Sequence, residues 1–522
     1  MRTAVNRRSF LKATTGVPLG ILYTAQWKTT SGAPITFDTD FGTLTEAARA
    51  IRGGVISSLE LTQHTLARIE QYNPTLNAIV TLLEDTALAQ ARAADEALAK
   101  GQWWGPLHGV PITIKNALAI AGVRTTAGVP ALSDNIPNQD ATVVTRLRSA
   151  GAVILGNTNV SFMLRDWQSY NTIHGTTNNP WDLERTPGGS TGGGAAALAA
   201  GLSYLSVGSD IGGSIRIPAH FSGVYGHKPT LGIVPPQGHI PPLPGDPPKP
   251  LGRLNLNVVG PLARSATDLK IALSILGGPD NEKAIAYRWV LPPARRTRIT
   301  DCRIGFVMDS SSCPVSSDVK EILVAAIETL RRAGVSLEEG WPPDVDPVKQ
   351  YDTYRYLLFA TGASSINDDQ VEELRKRAMR QDGSREAIEA LARTARHKYF
   401  QAADNERIAA RAAWQKYFRT HDAFLMPTAF APAFRHDHRE RSERTIATPE
   451  GLRPYDDMLF WIAFASLTGL PATTAPVGQT KEGLPVGMQI MGPYFEDATP
   501  IDIAGQMADF VGGFQAPPGF SQ

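Results

Sequence analysis

Cysteine is almost absent from this chain: Cys302 and Cys313 are the only two in 522 residues. That excludes a disulfide-scaffolded fold. The two lie close enough in sequence to pair in an oxidising compartment, but Cys302 sits in a strand-like CRIGFV, where a buried thiol serves as a small apolar side chain. An excess of either charge is missing too. Lys+Arg 51 against Asp+Glu 50 leaves a net charge of +1, so no global field draws the chain to nucleic acid or to an anionic membrane. A small neutral or mixed molecule is the expected substrate class. No apolar run reaches the ~20 residues that a membrane-spanning helix needs. No Cys/His set has zinc spacing, and neither a metal nor another cofactor is expected. Repeats and low-complexity tracts are also lacking.

What is present reads as an ordinary globular enzyme, 42% hydrophobic and 19% charged, and long enough for a large buried core. The first residues stand apart. Asn6-Arg7-Arg8-Ser9-Phe10-Leu11-Lys12 resembles a twin-arginine export motif, followed by the uncharged stretch Ala13 to Gln26 and a small-residue region, Thr29 to Ala33. Residues 1–33 are therefore expected to be a signal peptide that sends the folded protein to the periplasm or beyond.

Residues 38–515 read as one domain. Thr43-Leu44-Thr45-Glu46 and Ser57-Ser58-Leu59-Glu60 fit capping boxes, each opening an amphipathic helix; the second is expected to end at Asn73-Pro74. Asn77 to Leu82 reads as a strand, Asp85 to Lys100 as a helix stopped by Gly101, and Val110 to Ile114 as a buried strand with Lys115 at its end. Asp140 to Ala150 reads as helix and Ala152 to Leu155 as strand. Further on, Cys302 to Val307 and Ser317 to Ala333 read as strand then helix. This alternation predicts an α/β domain whose sheet is covered on both faces. Two segments stand out: a Pro/Gly-rich loop over residues 231–253, and a helical region over 352–418, expected to coat the surface rather than line a substrate entrance.

The chemistry concentrates between Thr186 and Lys228. Gly194 to Gly201, GAAALAAG, predicts a tightly packed helix, Leu202 to Val207 a short buried strand, and Ile211-Gly212-Gly213-Ser214 the loop beyond it. Ser190 and Ser214 are both flanked by glycines, which let backbone N–H groups approach a ligand closely. A nucleophile with an oxyanion hole needs that arrangement, although a lone GGS is more commonly a turn. Lys115, at a strand end among apolar residues, is either a snorkelling lysine or a buried base.

GVPITIKN around Lys115, TPGGSTGGGAAALAAG around Ser190 and GSDIGGSIRIPA around Ser214 together closely resemble the amidase signature family of serine hydrolases. So do GNTNVSF, GTTNNPWD, GPLARSATDL, DAFLMPT and TGLPATTAPVG…GLPVGMQIMGP, so that the resemblance runs from about Leu44 to Pro493. It implies a single large domain with a central mixed, twisted β-sheet covered by helices. It also implies a Lys–cis-Ser–Ser triad of Lys115, Ser190 and Ser214, the two serines 24 positions apart. In that triad Ser214 is the nucleophile, Ser190 the relay after a cis Gly189–Ser190 peptide, and Lys115 the base, which burial must hold neutral. The backbone N–H groups of Ile211, Gly212, Gly213 and Ser214 form the expected oxyanion hole. Thr191 stands where the family commonly has a second serine; its hydroxyl is kept and its methyl is expected to narrow the site. Asp210 and Arg216 are expected to form an ion pair that holds the nucleophile loop.

His108, His174, His220 and His227 lie near these motifs, but none has a GxSxG context. They are expected to be wall or core residues, with His174 the one to face substrate. Phe162, Met163, Trp167, Tyr170, Phe460, Trp461 and Phe464 are candidate pocket residues favouring hydrophobic acyl or aryl groups; each taken alone also fits the core. The resemblance implies amide hydrolysis through an acyl-enzyme, with a small-molecule amide and water as reactants. A carbamate or ester hydrolase would use the same site. A glutaminase-type amidotransferase subunit fits the fold but not the expected export, and a binding protein on a retired enzyme fold fits poorly with an intact triad. Oligomeric state is left open, a homodimer included.

Overall fold

The computed structural model describes residues 37–240, 256–280, 282–363, 366–380 and 384–521. The expected signal peptide, and residues 241–253 of the Pro/Gly-rich loop, lie outside the described residues.

Helices begin where the sequence supplies their caps. Thr43 and Ser57 each accept the N–H three residues on, and Glu46 and Glu60 reach back to close the box. They open helices Leu44–Arg52 and Ser58–Leu76. Asp268 completes the first of these from afar, accepting the N–H groups of Leu44 and Thr45 at 3.0 Å. The second helix does not stop at Asn73-Pro74. Pro74 sits in its last turn, where a missing N–H costs one bond rather than a ladder, and Asn77 in the left-handed conformation ends it, its N–H on the Asn73 carbonyl at 2.7 Å.

One sheet of 11 strands runs through the domain. In chain order these are β1 Ile79–Leu82, β2 Pro111–Lys115, β3 Val153–Thr158, β4 Ser206–Asp210, β5 Tyr225–Lys228, β6 Val258–Ala263, β7 Arg303–Phe306, β8 Ser336–Glu339, β9 Ala423–Pro427, β10 Ala472–Gln479 and β11 Pro485–Met491. Their spatial order is β1-β3-β2-β4-β6-β5-β10-β11-β9-β7-β8. The sheet is mixed: β3, β2 and β4 run parallel, as do β9, β7 and β8, and the pairs between those blocks are antiparallel. Every residue of β2, β3, β4 and β6 is buried. Successive side chains point to opposite faces, so both faces there are covered, as the helix–strand alternation predicts.

The β4 strand departs from expectation. The apolar run Leu202 to Leu205 belongs largely to the exit from helix Gly192–Ala199, with the Leu202 N–H on the Ala197 carbonyl. The strand itself is Ser-Val-Gly-Ser-Asp. A hydrophobicity reading misses it because its polar residues are buried to serve their neighbours, not solvent. The 352–418 region also differs. Its helices, Pro347–Ala360, Asp368–Ala378, Arg385–Thr394 and His397–Tyr417, are not merely a coat: Tyr354 and Trp414 are fully buried. Cys302 and Cys313 are free thiols, and burial pushes each up to about 12.

Candidate active site

Three neighbouring segments converge at the C-terminal ends of β2 and β4. Parallel pairing aligns Ile114 with Val207, which brings Lys115 beside Ser209 and Asp210. The third segment is the turn before helix Gly192–Ala199, which carries Ser190 after a cis Gly189–Ser190 peptide. Gly189 is dictated by contact: a Cβ there would collide with the Asp166 carbonyl oxygen. The N–H of Thr191 donates to the Ser214 carbonyl at 3.2 Å, tying the relay turn to the nucleophile loop.

Lys115 is fully buried, and its ammonium position is ringed by oxygen. Nζ lies 2.8 Å from Ser190 Oγ, 2.9 Å from Thr191 Oγ1, 3.1 Å from Ser209 Oγ and 3.4 Å from the Ser209 carbonyl. Burial brings its pKa down to about 7, with the charge of Asp210 pulling the other way. Loss of bulk hydration penalises the charged form, and hydroxyls return only part of it. A substantial fraction of neutral amine therefore exists at neutral pH, which is what a base requires. Ser190 is completely enclosed whereas Ser214 retains 6% exposure, so of the two serines only the latter has any surface open to the outside.

The loop after β4 is knotted around one carboxylate. Asp210 accepts the N–H groups of Gly213 at 2.9 Å, Ile215 at 3.1 Å and Arg216 at 3.3 Å. It also takes the Arg216 side chain, Nε at 3.0 Å and Nη2 at 2.9 Å. Burial opposes the carboxylate charge, but Arg216 outweighs it and holds Asp210 down at about 2. The far side of the Arg216 guanidinium reaches the Ile462 carbonyl, Gln489 and Ser466. The expected ion pair is present and does hold the loop. One expected oxyanion donor is lost to it: the Gly213 N–H is already spent on Asp210. Among the described residues, the N–H groups of Ile211, Gly212 and Ser214 have no such partner.

Thr191 does not narrow the site in the way its methyl suggests. Cγ2 packs against backbone, filling the place where a Cβ on Gly208 would stand and lying 3.3 Å from that of a Cβ on Gly194. The hydroxyl faces Lys115.

The candidate pocket residues part company. Phe460, Trp461 and Phe464 are buried core side chains packed with Trp341 and Tyr351, not pocket wall; the helix Phe460–Thr468 is mostly apolar and buries every one of its residues. Phe162 is exposed, and Met163 packs on a small cluster with Ala117 and Leu132. Tyr170 stacks on His438 and takes a hydrogen bond from Arg444 at 2.7 Å. Trp167 alone touches the nucleophile loop, its Nε1–H on the Gly212 carbonyl at 2.8 Å. His174 is half-buried beside Asn116. His108, His220 and His227 are buried on the Ala94 carbonyl, on the Ala431 carbonyl and Gly487, and on Thr473 with Asp497, their ring nitrogens engaged by these partners rather than by Ser214. Among the described residues, no three His, Cys, Asp or Glu side chains gather as a metal site would require.

Sequence reasoning missed Ser209 and Tyr354. Ser209 follows from pairing β4 to β2. Tyr354, whose hydroxyl donates to the Ile211 carbonyl at 2.9 Å, carried no sequence signal, because it arrives from a helical region without a motif.

An amidase family model matches residues 60–500. The A subunit of glutamyl-tRNA(Gln) amidotransferase from Thermosynechococcus vestitus is 33% identical over 469 residues, covering 86% of this chain and 93% of its own. Among solved structures, an amidase at 29% identity superposes with a TM-score of 0.73, covering 90% of this chain and 100% of that one. The A subunit of glutamyl-tRNA(Gln) amidotransferase from Thermotoga maritima, at 26% identity, gives a TM-score of 0.73, covering 93% of this chain and 99% of that one. With its signature motifs, its mixed 11-stranded sheet and a match of that length, this chain belongs to the amidase signature family.

Proposed function

We propose that the chain hydrolyses the C–N bond of a carboxylic amide through an acyl-enzyme on Ser214. The Ser214 hydroxyl attacks the carbonyl carbon while its proton passes to Ser190 Oγ, and Ser190 gives its own proton to neutral Lys115. The carbonyl oxygen takes up negative charge against the N–H groups of Ile211, Gly212 and Ser214. As the C–N bond breaks, the proton held by Lys115 returns through Ser190 to the leaving nitrogen. Ammonia or an amine departs, and an ester remains on Ser214. Water then attacks that ester over the same proton route, releases the acid and restores the serine.

The observation that carries this reading is Lys115: fully buried, 2.8 Å from Ser190 Oγ and brought to about 7. The surroundings distinguish it from a structural lysine: its amine is ringed by the hydroxyls of Ser190, Thr191 and Ser209 rather than held by a single backbone carbonyl. Mass spectrometry after mixing with a fluorophosphonate provides the test. One adduct is expected on the wild-type chain and none on Ser214→Ala. Ser190→Ala should stay folded by circular dichroism yet lose roughly 100- to 10,000-fold in turnover, the usual range for a proton-transfer group. Near-normal turnover in either variant would sink the mechanism.

A second reading keeps every step and changes the amide. The similarity to the A subunits of amidotransferases favours glutamine as the donor, with its ammonia passed to a partner rather than released. The apolar pocket that would have argued for aryl amides loses Phe460, Trp461 and Phe464 to the core, which leaves Trp167 as its main support.

A further inference from the structure

Two donors from distant parts of the chain grip successive carbonyls of the nucleophile loop. Tyr354, in helix Pro347–Ala360, donates its hydroxyl to the Ile211 carbonyl at 2.9 Å, and Trp167 donates Nε1–H to the Gly212 carbonyl at 2.8 Å. In a trans peptide the carbonyl and the N–H that follows it point in opposite directions. Holding the Ile211 carbonyl therefore turns the Gly212 N–H away from Tyr354. Holding the Gly212 carbonyl turns the Gly213 N–H away from Trp167, and it lands on Asp210 at 2.9 Å. The two grips thus give adjacent amides different fates: one is consumed by a carboxylate, while the other stays without a partner among the described residues.

Tyr354 is itself anchored. It is completely buried, and Ser466 is close enough to its hydroxyl to act on it electrostatically. Ser466 Oγ in turn takes Arg216 Nη2 at 2.7 Å, and Arg216 is locked to Asp210. Asp210 precedes Ile211, so the residue before the gripped carbonyl is tied through Arg216 to Ser466, the neighbour of the Tyr354 hydroxyl. Several buried hydrogen bonds acting on one loop fix it more rigidly than any one of them. A flexible glycine pair such as Gly212-Gly213 needs that help, since it has no side chain to pack.

We propose that Tyr354 is a positioning residue that fixes the Gly212 N–H as an oxyanion donor, acting through the Ile211 peptide. The proposal rests on the Ser214 acyl-enzyme reading and adds to it a residue from the helical region that carries no family-like motif. Tyr354 does not touch the reacting atoms; it sets where one donor stands before charge develops, and such preorganisation favours the transition state over the bound substrate.

The test is Tyr354→Phe, which removes one hydroxyl and keeps the ring, assayed with a p-nitroanilide and with glutamine. Outright removal of an oxyanion donor costs on the order of 100- to 1000-fold, so loosening one should lower kcat by roughly 10- to 100-fold and leave KM little changed. Phenylboronic acid, which forms a tetrahedral adduct on a serine, should lose affinity by about the same factor as kcat. Planar benzoate should bind as before. A kcat within about threefold of wild type, or equal losses for boronate and benzoate, would overturn the assignment and leave Tyr354 a packing residue. Ser466→Ala, which leaves the ring and hydroxyl of Tyr354 in place, gives the same split at smaller size; if Tyr354→Phe does not fold, a wild-type kcat in Ser466→Ala overturns the proposal. Ser214→Ala separates the two levels. If that variant still turns over, the acyl-enzyme reading fails and this proposal with it. If it is dead while Tyr354→Phe is unimpaired, only the proposal fails.

Discussion

At the scale of single residues, the proposed chemistry turns on one amine. Lys115 in water would be protonated up to about pH 10.4, and only its enclosure brings it down to about 7. The base must be neutral in the free enzyme, so kcat/KM should rise with pH through about 7 and level off above it, with a slope of one proton. Lys228 complicates the assignment: it is buried on the Pro229 carbonyl and burial brings it, too, to about 7. Lys228→Met should keep the rising limb, and Lys115→Met should abolish turnover at every pH. A limb that vanishes with Lys228 would place the titration at the wrong lysine. The three residues proposed as the triad are legible in the sequence because glycine-flanked serines and a strand-end lysine carry strong local patterns. The fate of the Gly213 N–H is not, since it depends on where Asp210 points its carboxylate after the loop has folded.

At the scale of elements, motif and periodicity serve unequally. Capping boxes locate two helix starts to the residue, because a cap is local chemistry. Strand β4 escapes a pattern reading because its five residues include two serines and an aspartate, all buried for contacts that only the assembled sheet creates. The joint between β4 and helix Gly192–Ala199 is equally invisible in sequence. Thr191, the residue before that helix, lays its methyl against Gly208 of β4 and Gly194 of the helix. Thr191→Ser keeps the hydroxyl on Lys115 and empties that methyl-sized space, which should cost on the order of 1 kcal/mol of stability, with kcat/KM near wild type. Denaturant titration and the standard assay check both halves. A large catalytic loss with unchanged stability would mean that the methyl shapes the substrate site after all.

At the scale of the whole molecule, α/β architecture follows from the alternation of helix and strand patterns. The sheet order does not, because β5, β6 and β10 meet through antiparallel pairings that no local pattern encodes. Substrate range is the least legible property. Three of the aromatic candidates for the pocket belong to the core, since a buried wall and a buried core have the same composition. Comparing kcat/KM for a series of acyl anilides against free glutamine settles what remains. An apolar site should gain up to about 0.8 kcal/mol per methylene, a graded rise with chain length. A flat series with glutamine preferred would assign the chain to the glutaminase reading.

The outermost strand at one end of the sheet has a consequence for solution behaviour. Among the described residues, strand β8, Ser336–Glu339, pairs only with β7 on its inner side, and it is largely exposed. Such an edge offers unpaired backbone groups to the same strand of another molecule. Here two consecutive glutamates guard it. Arg303 and His421 hold the Glu338 carboxyl below its usual range, so that carboxylate keeps its charge further into acid than a free glutamate would. Replacing the pair, Glu338→Thr with Glu339→Thr, swaps like-charge repulsion for residues that favour extended chain. The variant should keep its circular dichroism and its turnover yet form soluble aggregates by light scattering at concentrations where the native chain does not; unchanged scattering would mean that the strand's shortness, not its charge, keeps copies apart.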